Sequence, residues 1–172
     1  MTRAQVRRLT LALPSAMSEL PLRDRLHLDD QINFLIVRIG TERFAFDMTR
    51  VVEVVDATSL DLVPQLGDAT LGLVTWRGKA HAVWSTGGTL RASVEKIDTA
   101  VFLRDDPPVA FAVDDVEDIV TVPGTSVRAL NGVDDGAGLV LGALHVDDSL
   151  ATVVDPIVLA AALRGRDEVV AS

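Results

Sequence analysis

The sequence predicts a mainly β protein, built as two similar small β-barrels side by side with a short C-terminal helix. Three observations predict it. From Ile32 onward the chain runs in short β-branched stretches separated by turn residues, the signature of many short strands rather than of helices alternating with strands. Laid over each other at an offset of 65, FAFDMTRVVEVV (44–55) and VAFAVDDVEDIV (109–120) match at Ala45/Ala110, Phe46/Phe111, Val51/Val116 and Val55/Val120. Both copies then reach a Val-Pro pair, Val63–Pro64 and Val122–Pro123, and end in a hairpin, 71–84 and 141–154, at an offset near 70. A duplication within 172 residues implies two lobes, each too small to be comfortable alone and each covering the other's exposed edge or face.

The elements follow in order. Residues 1–30, interrupted by Pro14 and polar and charged after Met17, are expected to form a mobile extension. Ile32–Ile39 and Glu42–Phe46 read as a hairpin, with Gly40 supplying the positive φ of a tight turn. Val51–Val55 is a strand, and Leu71–Trp76, Arg77–Gly78 and Lys79–Trp84 make a second hairpin. Ser85–Glu95 contains Gly87 and Gly88 and is not expected to be helical. The second series runs Thr99–Leu103, Val109–Val113 and Val116–Val122, and Pro123–Gly124 ends it. Leu139–Val146 and Leu150–Val154 form the last hairpin around Asp147–Asp148. Asp155 then offers an N-cap acceptor and Pro156 an N1 proline to a helix over about 156–164, followed by a tail, 165–172. The first barrel series spans about 31–90 and the second about 98–155, with crossover of strands between the lobes left open.

Composition narrows the function. With 48% hydrophobic and 24% charged residues the chain is a folded protein, and 25 acids against 16 bases leave a net charge of −9, which repels phosphate backbones and argues against nucleic acid as a partner. Cysteine is absent, which removes disulfides, thiolate metal sites and thiol nucleophiles. His27, His81 and His145 are too widely spaced to share a helical face, so no metal or cofactor is expected. Arg7–Arg8 opens an apolar stretch that Pro14 and the charges from Glu19 onward cut too short for an export signal. No run of some 18 apolar residues exists, so a cytoplasmic protein without direct membrane insertion is expected. The paired acids Asp29–Asp30, Asp105–Asp106, Asp114–Asp115, Asp134–Asp135 and Asp147–Asp148 fit no calcium loop and read as solvated turn residues. With no nucleophile elbow, Ser-x-x-Lys or phosphate-binding glycine loop, the chain is not expected to be an enzyme.

Recognition is the more informative signal. Trp76–Arg77–Gly78–Lys79 places a large ring, a guanidinium and an ammonium at a hairpin tip of an acidic protein, and Trp and Arg are the residues most enriched at binding hot spots. The alternative is that Trp76 caps a barrel end while Arg77 pairs with a carboxylate of its own chain.

FLIVRIGTERFAFDMTRVVEVV, then Val-Pro, then LGLVTWRGKAHAVW, and finally LGALHVDDSLATVVDP with its apolar helix, together resemble the CheW-like domain of bacterial chemotaxis, from about Gln31 to Leu163. The most specific pieces are Val51, Glu53 and Val54 of the V-x-E-V strand and Gly72, Arg77 and Gly78 of the G-x-x-x-x-R-G turn. The resemblance implies two SH3-like five-stranded barrels with an apolar groove between them. It also implies a non-catalytic adaptor that joins a chemoreceptor cytoplasmic tip to the regulatory domain of a CheA-type histidine kinase. By the same resemblance Glu53 and Arg77 would make polar contacts near the receptor or kinase, and Met48 and Val51 would lie on a neighbouring apolar receptor-facing surface. Where the family commonly has Asn-Leu-Arg-Gly, this chain has Thr75–Trp76–Arg77–Gly78, and Ala82 and Ser85 replace its usual Pro and Asp, so a divergent signalling pathway is a further expectation. The competing reading is a β-barrel module that binds a small ligand or another protein in the inter-barrel groove.

Overall fold

A computed structural model describes residues 20–28, 30–58, 60–62, 69–130 and 138–171. Val63–Pro64, Asp29 and Asp134–Asp135 lie outside the described residues. Among the described residues ten strands form: β1 (Gln31–Ile39), β2 (Glu42–Asp47), β3 (Val51–Asp56), β4 (Thr70–Trp76), β5 (Lys79–Trp84), β6 (Thr99–Leu103), β7 (Val109–Val113), β8 (Asp115–Pro123), β9 (Val140–Val146) and β10 (Ser149–Val154). A helical turn α1 (Leu22–Arg25) precedes them and helix α2 (Pro156–Ala171) follows. The strands make two five-stranded sheets, β8-β1-β2-β10-β9 and β3-β6-β7-β5-β4.

Adding or subtracting five from each strand number turns one order into the other, so the duplicated halves are β1–β5 and β6–β10. Neither half closes on itself: each sheet takes its first two strands from one half and the other three from its counterpart. The sequential series 31–90 and 98–155 therefore do not correspond to the two barrels. Pairing repeats in detail. Val153 lies parallel to Ala45 in one sheet, and Val83 lies parallel to Ala110 in the other.

The edges of each sheet are joined by one bridge. Asp61, beyond β3, exchanges backbone hydrogen bonds of 2.9 and 2.8 Å with Leu73 of β4, and Arg128, beyond β8, does the same with Ala143 of β9. Both closures pass beside a glycine. A Cβ at Gly72 would lie 2.5 Å from the Asp61 carbonyl oxygen, and one at Gly142 would lie 2.5 Å from that of Arg128. Only glycine admits so close a backbone.

Side-chain alternation explains why these strands are so apolar. In β6 and β7, Ala100, Phe102, Ala110 and Ala112 fill the interior of their own barrel, while Val101, Leu103, Val109, Phe111 and Val113 point the other way. In the other barrel Ile32, Phe34, Ile36 and Ala45 face inward, and Leu35, Val37, Ile39, Phe44 and Phe46 face outward. The outward sets meet in a third core between the barrels, where the matched pair Phe46 and Phe111 pack at 5.1 Å between ring centroids. The apolar groove that the resemblance implies is, among the described residues, this packed layer.

Helix α2 is longer than the expected 156–164. The Asp155 carboxylate accepts from the backbone N–H of Ile157 at 3.0 Å and of Val158 at 3.4 Å, capping it, and Leu159, Ala160 and Leu163 enter the central core. Residues 20–28, assigned by the sequence to the extension, pack against the barrel: Leu22 joins its interior, and the buried Arg25 guanidinium binds the buried Asp47 carboxylate.

Candidate functional site

The β4–β5 hairpin turns through two residues, since Trp76 pairs directly with Lys79. Arg77 (φ 50°) and Gly78 (φ 77°) both occupy the left-handed region, as a type I′ turn requires. Glycine is suited to this, whereas an L side chain there costs about 1–2 kcal/mol. The corresponding turn of the other half places Asp147 at φ 53°. The strained turn lifts Arg77 out of the strand plane and brings its guanidinium over the Trp76 ring, 4.3 Å from the centroid.

Beneath that ring lies a built support. Trp76 stacks on the fully buried Phe102 at 4.4 Å with an interplanar angle of 25°, and His81 meets both rings edge-on. The indole Nε1–H donates to the Glu53 carboxylate on β3, at the far edge of the same sheet. Four residues that the sequence singles out, Glu53, Trp76, Arg77 and Gly78, thus form one cluster. Arg77, Gly78 and Lys79 are exposed, while Trp76 and Glu53 are partly buried. Trp76 does cap a barrel end, yet among the described residues no carboxylate pairs with Arg77.

Met48 and Val51 are placed differently from the expectation. Met48 is 7% exposed and Val51 2% exposed, and both belong to the core between the barrels. Met48 sits in the one-turn 3-10 helix that carries the chain from one barrel to the other, and Val51 opens β3. They anchor the strand that bears Glu53 and offer no docking surface of their own.

Two polar roles escape a sequence reading. Asp114 is buried, and its carboxylate accepts from the backbone N–H groups of Gly40 at 2.6 Å and of Glu95 and Lys96 at 2.8 Å. It is a structural junction and not a solvated turn tip; its position directly after the five-residue buried run of β7 is the signal that could have shown this. Arg25 is the other, its guanidinium buried against the Asp47 carboxylate. Among the described residues no group of three or more His, Asp or Glu side chains is arranged to hold a metal ion, and no helix is long and apolar enough to cross a membrane.

Comparison with known proteins bears on the family and the fold. The family model for the CheW-like domain matches residues 33–164. No curated protein matches the chain. Among solved structures, the fold is similar to the scaffolding protein TtCheW from Thermoanaerobacter tengcongensis, with a TM-score of 0.61 at 20% identity, covering 74% of this chain and 86% of that one. The family match over most of its length shows that the chain belongs to the CheW-like domain family.

Proposed function

We propose that this protein is an adaptor that couples the cytoplasmic tip of a chemoreceptor to the regulatory domain of a CheA-type histidine kinase. One observation carries the reading: Glu53 and Trp76–Arg77–Gly78 converge from β3 and the β4–β5 hairpin into a rigid, exposed cluster. A guanidinium fixed on an aromatic ring has already lost much of its side-chain freedom, so little ordering entropy opposes docking. The packed layer between the barrels supports the mechanism, because barrels sharing a core keep receptor and kinase at a set mutual orientation. A receptor displacement is then passed on through the interfaces.

The test is direct binding of the chain to the cognate kinase regulatory domain and to receptor tip fragments. Arg77→Ala is expected to weaken capture by about 1–3 kcal/mol with an unchanged melting curve, as for a hot spot at an exposed turn. Undiminished binding to both partners would remove Arg77 from the docking surface.

A further inference from the structure

We propose that Trp76 is a positioning residue that holds Arg77 ready for one carboxylate of a partner protein, which makes the tip a reader of an acidic side chain. This inference rests on the adaptor reading and adds the chemistry of the contact. The residues form three layers: Phe102 fully buried at the base, Trp76 stacked on it at 4.4 Å, and the Arg77 guanidinium above at 4.3 Å. The Nε1–H bond to Glu53 fixes the ring edge, so the indole cannot swing away from the guanidinium. A guanidinium held over a ring face keeps N–H groups directed away from the ring, and a carboxylate is the planar acceptor that can match its fork with two parallel hydrogen bonds.

The surroundings favour a carboxylate from a protein. Among the described residues none pairs with Arg77, although the chain carries 25 acids, and Lys79 stands exposed beside it. Two cations on a protein of net charge −9 suit a single acidic side chain far better than a run of phosphates, whose binding requires many neutralising contacts. Glu53 is already engaged by the indole and, being a carboxylate, would repel a second one placed on its side of the ring.

The experiment has one arm that needs no natural partner and one that does. In the full chain, the Arg77 side-chain Nε–H resonance is expected to lie upfield of the other arginines because of the ring current, and to return to the ordinary position in Trp76→Leu. Titration with a hexaglutamate peptide should shift it saturably, hexaglutamine should not, and Trp76→Leu should weaken the response about 3-fold, the scale of an exposed cation–π contact. Trp76→Phe, which keeps a stacking ring, should restore most of it. With the kinase domain or receptor fragment, Arg77→Ala should cost about 5- to 150-fold, and Trp76→Leu should add nothing once Arg77 is gone. A Trp76 penalty that persists in the Arg77→Ala background, an unshifted Arg77 resonance, or a stronger response to a single-stranded oligonucleotide than to hexaglutamate would each overturn the proposal. Should the chain bind neither kinase nor receptor, the adaptor reading fails, and the resonance and peptide measurements still decide the role of Trp76.

Discussion

Removing the Asp47 carboxylate should unfold this protein more effectively than any surface substitution. The Asp47 and Arg25 side chains are 1% and 8% exposed, and they bond directly across 22 residues of sequence. The second Asp47 oxygen accepts from the Thr49 backbone N–H at 3.1 Å, which caps the one-turn helix between the barrels. Asp47→Ala leaves a guanidinium buried without its counter-charge, a loss of about 3–5 kcal/mol for a broken buried pair, and also orphans the Thr49 N–H. A total near 4 kcal/mol would take a large share of the roughly 5–15 kcal/mol that holds a domain folded. At a urea m-value of about 2 kcal/mol/M the midpoint falls by about 2 M. The assay is urea unfolding followed by the fluorescence of Trp76 and Trp84. Arg25→Met alone should lose about 3 kcal/mol, and the double variant should be no worse than Asp47→Ala, giving a coupling of about 3 kcal/mol that is insensitive to salt between 0.05 and 0.5 M. Additive single effects, with coupling below about 0.5 kcal/mol, would show that the pair is not the clasp holding residues 20–28 in place.

Further outcomes follow from the packing. Gly72→Ala and Gly142→Ala should each destabilise by about 2 kcal/mol or more, because the new Cβ meets a carbonyl oxygen at 2.5 Å, whereas Gly78→Ala, with nothing within 4 Å, should lose only the roughly 1 kcal/mol of its left-handed φ; thermal melts of the three variants would rank them. Phe46→Ala and Phe111→Ala should each lose about 3–5 kcal/mol, and the double variant less than the sum because the two rings share one contact, as urea titration would show. Arg164→Ala removes a partly exposed pair with Asp105 at 3.5 Å and a hydrogen bond to the Pro107 carbonyl, and should destabilise by only about 1 kcal/mol, measurable as a small shift in the same titration.

Strand identity was legible because β-branched runs and turn residues act locally, and each of the ten observed strands lies within a few residues of a stretch that the pattern picks out. The duplication was legible for the same reason: Phe46 and Phe111 hold equivalent places in equivalent strands. The exchange of strands between halves was not, since a strand's hydrophobic pattern specifies that it has buried faces and not which partner covers them. Met48 and Val51 illustrate the limit. Both are apolar, so burial between barrels and display on a docking surface look alike in sequence, and only the tertiary arrangement puts them inside. Arg25 fails in the opposite sense, as a charge in a polar stretch reads as solvated until Asp47 is brought to it from a distant strand. The Glu53, Trp76 and Arg77 cluster was half legible: the residue types marked the hairpin tip, but the hydrogen bond that ties Glu53 to Trp76 depends on the curl of a whole sheet.

The sharing of strands between halves has a mechanical consequence. Had each half kept its own five strands, a modest tug could have parted the lobes by peeling one smooth surface from another. Here the two sequence halves cannot be drawn apart that way: separating them must unzip hydrogen-bonded ladders in both sheets at once, so neither half can leave the fold without dismantling both barrels.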